Sequence, residues 1–148
     1  MTRLSEEQKL DLLKDEMKLC QGQVDKYDNI LERVNTWVVT LWAASLGWAF
    51  QMNSKEFVAL NIVIVLVFWV LQGINKAFRQ DYKDRRDEVA HLLNRMGKEG
   101  VAPSEIVSPR FPTHKNLWRN TLSDMFKPHS ALIYLVLAVV SAAIYVRF

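Results

Sequence analysis

Hydrophobic and charged positions are sorted into blocks along this chain. Residues 35–52, 57–75 and 130–146 contain no Asp, Glu, Lys or Arg, and these runs are 18, 19 and 17 residues long. As helices they measure roughly 26–29 Å, close to the hydrocarbon thickness of a bilayer. A charge-free run of about 10–14 residues suits a buried core helix, whereas three runs of this length predict membrane spans. The third follows Lys127-Pro128-His129 and carries Tyr134 and Tyr145 near its two ends, where interfacial aromatics belong. The alternative for that run is an apolar helix buried against other subunits.

Ahead of the first run the pattern changes to an amphipathic one. Ser5-Glu6-Glu7-Gln8 matches a capping box and predicts a helix start. Leu10, Leu13, Met17, Cys20, Val24, Tyr27, Leu31 and Val34 then alternate in steps of three and four, an unbroken heptad seam. The spacing extends into the first span as Val38, Leu41, Ser45 and Trp48. Gly22 lies off the seam and weakens the helix by about 1 kcal/mol. Beyond the second run, Phe78, Tyr82, Val89, Leu92 and Met96 keep compatible spacing, with Arg85 in the remaining seam position and stop signals at Gly97 and Gly100. Helices over 10–52 and 57–98 would each be roughly 60–65 Å long. The four-residue turn 53–56 between them predicts an antiparallel hairpin whose lower half forms a coiled-coil-like stalk of about 35 Å.

Residues 99–112 hold Gly100, Pro103, Pro109 and Pro112 and read as an irregular connector. Over 114–126, Leu117, Trp118, Leu122, Met125 and Phe126 recur at helical spacing among Lys115, Arg119 and Lys127, a short basic amphipathic helix of the kind that lies in the headgroup layer. The expected fold is therefore all-α and integral to a membrane. It comprises a hairpin over 1–98, a connector with its short helix over 99–128 and a third span over 129–148.

Composition adds orientation. Eight acids face six bases in residues 1–34, and seven bases face four acids in 76–98, so the two stalk helices attract each other, although each exposed pair contributes under ~1 kcal/mol. Six of the nineteen Lys and Arg precede residue 35 and eleven lie between 76 and 127. Three crossings place those seventeen on one side, which should be cytoplasmic: N-terminus in, C-terminus out. The polar, acidic start is unlike a cleavable signal peptide. One cysteine allows no intramolecular disulfide, and a net charge of +3 makes no case for direct nucleic-acid binding.

Three sets of residues are candidates for function. Thr36, Thr40, Ala44, Gly47 and Gln51 form a small, polar stripe along the first span, and Asn61, Gln72 and Asn75 give the second span a comparable face. Such residues either pack helices closely or line a wet path. With no ionisable residue inside a span, a proton pump or voltage sensor is disfavoured. Arg79, Lys83 and Arg86 with His91 could contact an acidic ligand or anionic lipid, or simply form a solvated face paired with the first helix. Leu13, Met17, Cys20, Tyr27 and Arg85 occupy the stalk seam, and Arg85 is the polar residue placed to set register or oligomer state. His91, His114 and His129 are too scattered for a metal, no cofactor-binding motif is present, and no catalytic apparatus is visible.

Three resemblances bear on function. Residues 10–98 resemble the SLATT group, small two-span effectors of prokaryotic conflict systems. The likeness is carried by Asn35-Thr36-Trp37 through Trp42 and Gly47-Trp48, by Phe68-Trp69, and by Arg79 and Arg85-Arg86. The third span departs from a two-span plan. Arg86 and His91 are similar to the short ribonuclease signature of HEPN domains, in which His serves acid–base chemistry and Arg stabilises phosphate charge. A charged helix face explains that two-residue match better. The arrangement also resembles pore-forming membrane accessory proteins of RNA-targeting CRISPR systems. These resemblances imply a homo-oligomeric inner-membrane effector that forms or gates a pore when a cytoplasmic partner or nucleotide signal triggers it. The competing expectation is a non-conducting adaptor that recruits a partner through its stalk.

Overall fold

A computed structural model describes residues 6–99 and 117–147. Ser5 of the capping box, most of the connector and His114 lie outside the described residues. Four helices follow in order: α1 (Glu6–Met52), α2 (Lys55–Glu99), α3 (Leu117–Met125) and α4 (Pro128–Arg147), with no strand among the described residues. α2 is the one described helix long and apolar enough to cross a membrane, and the apolar part of α4, Ala131–Arg147, is shorter.

The turn between α1 and α2 is tighter than 53–56, because Lys55 and Glu56 already belong to α2. Asn53 takes a left-handed φ of 47°, its N–H donating to Phe50 O at 3.4 Å, while the Ser54 N–H donates to Ala49 O at 3.1 Å. Those two bonds are a Schellman motif, with asparagine in the position usually given to glycine. α4 begins on Pro128, whose missing N–H costs nothing in a first turn, and the Ala131 N–H donates to Lys127 O at 3.0 Å. α2 runs through Gly97 to Glu99.

The chain divides into two compact units. The first combines α1 up to Asp28 with α2 from Phe78. Its helices are antiparallel, since Arg79 meets Asp28 and Arg86, seven residues later in α2, meets Gln21, seven residues earlier in α1. Leu13, Cys20, Val24 and Val89 are buried between them, and Tyr27 stacks on both Phe78 and Tyr82 at 5.9 Å. The heptad seam thus packs within one chain.

The second unit contains Asn29–Ala77 with α3 and α4. Val38, Val65, Tyr134 and Leu137 form its centre, with Trp42, Phe68 and Trp69 packed around them. Here the seam departs from expectation. Leu31, Val34 and Val38 are buried, but Leu41 and Trp48 are exposed and Leu46 and Ala49 are buried in their place. A straight helix repeats every 3.6 residues rather than 3.5, so a strict heptad drifts around it, and α4 supplies a second partner that turns the buried face. Tyr134 is fully buried within this unit rather than exposed on its surface; it stacks on Trp69 at 6.2 Å.

Candidate functional site

The two polar faces of α1 and α2 have opposite fates. Thr36, Thr40, Ala44, Gly47 and Gln51 are all exposed. Thr36 Oγ1 donates back to Glu32 O at 3.1 Å and Thr40 Oγ1 to Thr36 O at 2.9 Å, so their hydroxyls are satisfied by their own helix. A Cβ placed on Gly47 would meet nothing within 4 Å. Asn61 and Gln72, by contrast, are buried, and half-buried Asn75 donates to Leu71 O at 2.8 Å. The stripe on α1 therefore lies on the outside and does not face Asn61 and Gln72.

Two polar nodes join the helices of this unit. Gln72 Nε2 and the Tyr134 hydroxyl both donate to Asn35 Oδ1 at 3.2 Å, linking α2 and α4 to α1. Trp42 Nε1 donates to Ser141 Oγ at 2.8 Å, and Ser141 Oγ donates onward to Leu137 O at 2.8 Å. Asn35, Trp42, Tyr134 and Ser141 were not among the expected site residues. Ser141 carried a signal: it is the one non-aromatic polar residue between Ala131 and Val146, and a lone polar side chain in an apolar run usually has a partner. Both amide atoms of Asn61, the Ser45 hydroxyl and Gln72 Oε1 are buried without a hydrogen bond. Unpaired groups of this kind cost about 1–3 kcal/mol each, and they are where a rearrangement or a polar ligand gains most.

In the first unit the basic residues are largely occupied. Arg79 holds the Asp28 carboxylate through two bonds, at 2.5 and 3.1 Å. Arg86 donates to Gln21 Oε1 at 2.8 Å and to Asp87 Oδ1 at 2.7 and 3.0 Å. Lys83 is half-buried and His91 exposed. Five residues on a helix place Arg86 and His91 roughly 140° apart around α2, so they do not share a face. Arg85 reaches Glu16 at 2.8 Å and Glu88 at 2.7 Å. Burial works against its charge, but the hydrogen bonds to both carboxylates outweigh it and its pKa rises. Met17 and Tyr27 are half-buried beside buried Leu13 and Cys20. Burial, reinforced by Glu16 and opposed by Arg85, pushes the Cys20 thiol up. Among the described residues no group of three His, Cys, Asp or Glu is placed to hold a metal.

Comparison with known families, with characterised proteins and with solved structures finds no match for this chain.

Proposed function

We propose that this protein is an integral membrane protein that assembles from several copies and forms or gates a pore. The second unit lies in the bilayer, and the first unit is a cytoplasmic stalk addressed by a partner of a SLATT-like defence system. The single observation that carries the reading is the outward stripe Thr36, Thr40, Ala44, Gly47 and Gln51 on α1. A face of small and hydroxylated side chains on the outside of an apolar helix unit suits contact with a neighbouring copy better than contact with acyl chains. Lipid as the surrounding medium is supported by the outward apolar residues of α2 and α4, among them Val63, Leu66, Val67, Leu132, Val136 and Val139. A soluble monomer rarely presents so extended an apolar surface. Asn61 and Gln72 turn inward in the single chain, so a pore lined by both faces requires α2 to rotate on assembly. The reading includes no catalysis and no cofactor.

Dye release from vesicles reconstituted with the full chain tests it, together with the mass of the detergent-solubilised particle. Thr40→Leu with Gln51→Leu should abolish release while leaving the chain folded; a monomeric particle overturns the pore. One observation favours an adaptor instead. Leu12 and Leu19, seven residues apart on one face of α1, are exposed in an otherwise charged unit, Leu19 by 68%. If Leu19→Glu abolishes function and the Thr40/Gln51 change does not, recruitment rather than conduction is the activity.

A further inference from the structure

We propose that α3 is an in-plane anchor, docked on the boundary between headgroups and acyl chains of the bilayer leaflet on the charged side of the protein. The proposal rests on the membrane reading above and adds a lipid-contact surface to it.

α3 is seated by one face and open on the other. Thr121, Asp124 and Met125 are buried. Thr121 and Met125 close over Gly73 of α2, where any Cβ would collide with Met125 Cγ and crowd Thr121 Cγ2 and O at 3.1 Å. Trp69 Nε1 donates to Met125 O at 3.1 Å, and the Phe126 ring meets Trp69 edge-on at 5.5 Å. A flanking edge, about 100° round the helix from that buried face, carries Trp118 and Leu122 and is extended by Phe126 just past the helix end; these are 69%, 56% and 66% exposed.

The depth of this edge follows from its seat. Trp69 and Gly73 belong to the last two turns of the charge-free run of α2, before the first charge at Lys76. α3 is therefore held where the apolar surface ends. Pro128 starts α4 only two residues after Phe126, and outward Leu132, Val136 and Val139 continue the apolar surface along α4. The local charge suits anionic headgroups: Arg119 is exposed, and Lys127 pairs with Asp124, neutralising the one carboxylate of the helix.

Area decides between lipid and a protein partner. A nine-residue helix is about 14 Å long. Trp118 and, just past the helix end, Phe126 offer at most ~150–250 Å² each, and with the smaller Leu122 this edge falls short of the ~800 Å² per partner in a stable interface. Insertion about 5–10 Å into the acyl boundary needs no such extent, because each apolar side chain contributes by itself.

The test uses the full chain with Cys20→Ala and one new labelled cysteine at a time: Leu122→Cys on α3, Leu66→Cys on α2 and Leu12→Cys on α1. Each carries an environment-sensitive fluorophore and is reconstituted in phosphatidylcholine–phosphatidylglycerol vesicles containing lipids brominated at a shallow or a deep acyl position. The label at 122 should be quenched roughly twofold more by shallow than by deep bromines, as expected for an interfacial helix. The label at 66 should be quenched more by deep bromines, and that at 12 by neither. Gly73→Val, which unseats α3, should reduce quenching at 122 and leave 66 unchanged. Water-like emission at 122 with normal quenching at 66 overturns the anchor alone. So does an apolar emission at 122 that bromines do not quench, which means protein covers the edge. Absence of quenching at 66 overturns the membrane reading, and the anchor with it.

Discussion

Arg85 Nε donates to Glu16 Oε1 across 2.8 Å, with only 10% and 7% of the two side chains exposed. Sequence spacing put Arg85 in an apolar seam; its partner comes from α1, beside buried Leu13 and Cys20. Arg85→Ala removes the guanidinium that faces the Glu16 carboxylate in a desolvated site and should cost about 3–5 kcal/mol, whereas Glu16→Ala leaves Arg85 its bond to Glu88 and should cost less. Replacing both with apolar residues should cost far less, because neither charge is then buried. Denaturant unfolding of the four variants in detergent, followed by helical circular dichroism, measures the cycle. Single costs below ~1 kcal/mol would mean the pair behaves as a solvated surface bridge.

Asn35 Oδ1 accepts from both Gln72 and Tyr134, so its loss touches two helices at once. Tyr134→Phe removes one donor and should cost under ~1.5 kcal/mol. Asn35→Leu strands the Gln72 amide as well as the Tyr134 hydroxyl and should cost more than Tyr134→Phe, about 1–3 kcal/mol for each group left unpaired. Thermal unfolding of the purified chain distinguishes them; equal costs would show that Gln72 finds another partner once Asn35 is gone.

Much of this architecture was legible in periodicity and little of it in pairwise choice. Steps of three and four through Val34 and Val38 mark residues that are buried or half-buried, because a helix facing one partner has a single inner face. Where α4 adds a second partner, the same extrapolation chose Leu41 and Trp48, and packing chose Leu46 and Ala49. The turn after residue 52, the basic helix ending near Phe126 and the apolar helix following Lys127 were visible as local chemistry. The stripe from Thr36 to Gln51 was visible as spacing, but its outward direction was not, since period alone does not say which face meets a neighbour. The Asn35 and Ser141 nodes join residues from distant parts of the chain, and no local signal names such partners.

Cys20 links stability to alkaline pH. Burial, then Glu16, hold its thiol above the ordinary 9.0, with Arg85 opposing, and burial, then Tyr82, raise the Tyr27 phenol above 10.0. Both groups are neutral when protonated, so the unfolded chain loses these protons first and the folded form retains them. Their stabilisation is complete below the unfolded values and declines as pH rises through them towards the folded ones. The unfolding midpoint should therefore be insensitive to these groups at about pH 7–8 and fall above about pH 9. Cys20→Ala should flatten part of that fall. Maleimide should label Cys20 slowly in the native chain at neutral pH and rapidly in denaturant; fast native labelling would contradict the buried seam position.

Three glycines separate helix propensity, internal packing and assembly. Gly22 and Gly47 leave a new Cβ nothing to meet within 4 Å, whereas at Gly73 it strikes Met125 and Thr121. Gly22→Ala should stabilise the chain by up to about 1 kcal/mol through propensity alone. Gly73→Ala must displace α3 and should destabilise despite the same propensity gain. Gly47→Ala should resemble Gly22→Ala in unfolding experiments on detergent-isolated single chains, since nothing within the chain opposes it. On the proposed assembly through the outward stripe it should diverge, because a methyl there would separate closely packed neighbouring helices. Mass measurement of the solubilised complex is the deciding readout: Gly47→Leu should yield smaller particles with unchanged helicity. If Gly47→Leu keeps the parent mass, the stripe is not where copies meet, and the pore reading loses the observation on which it stands.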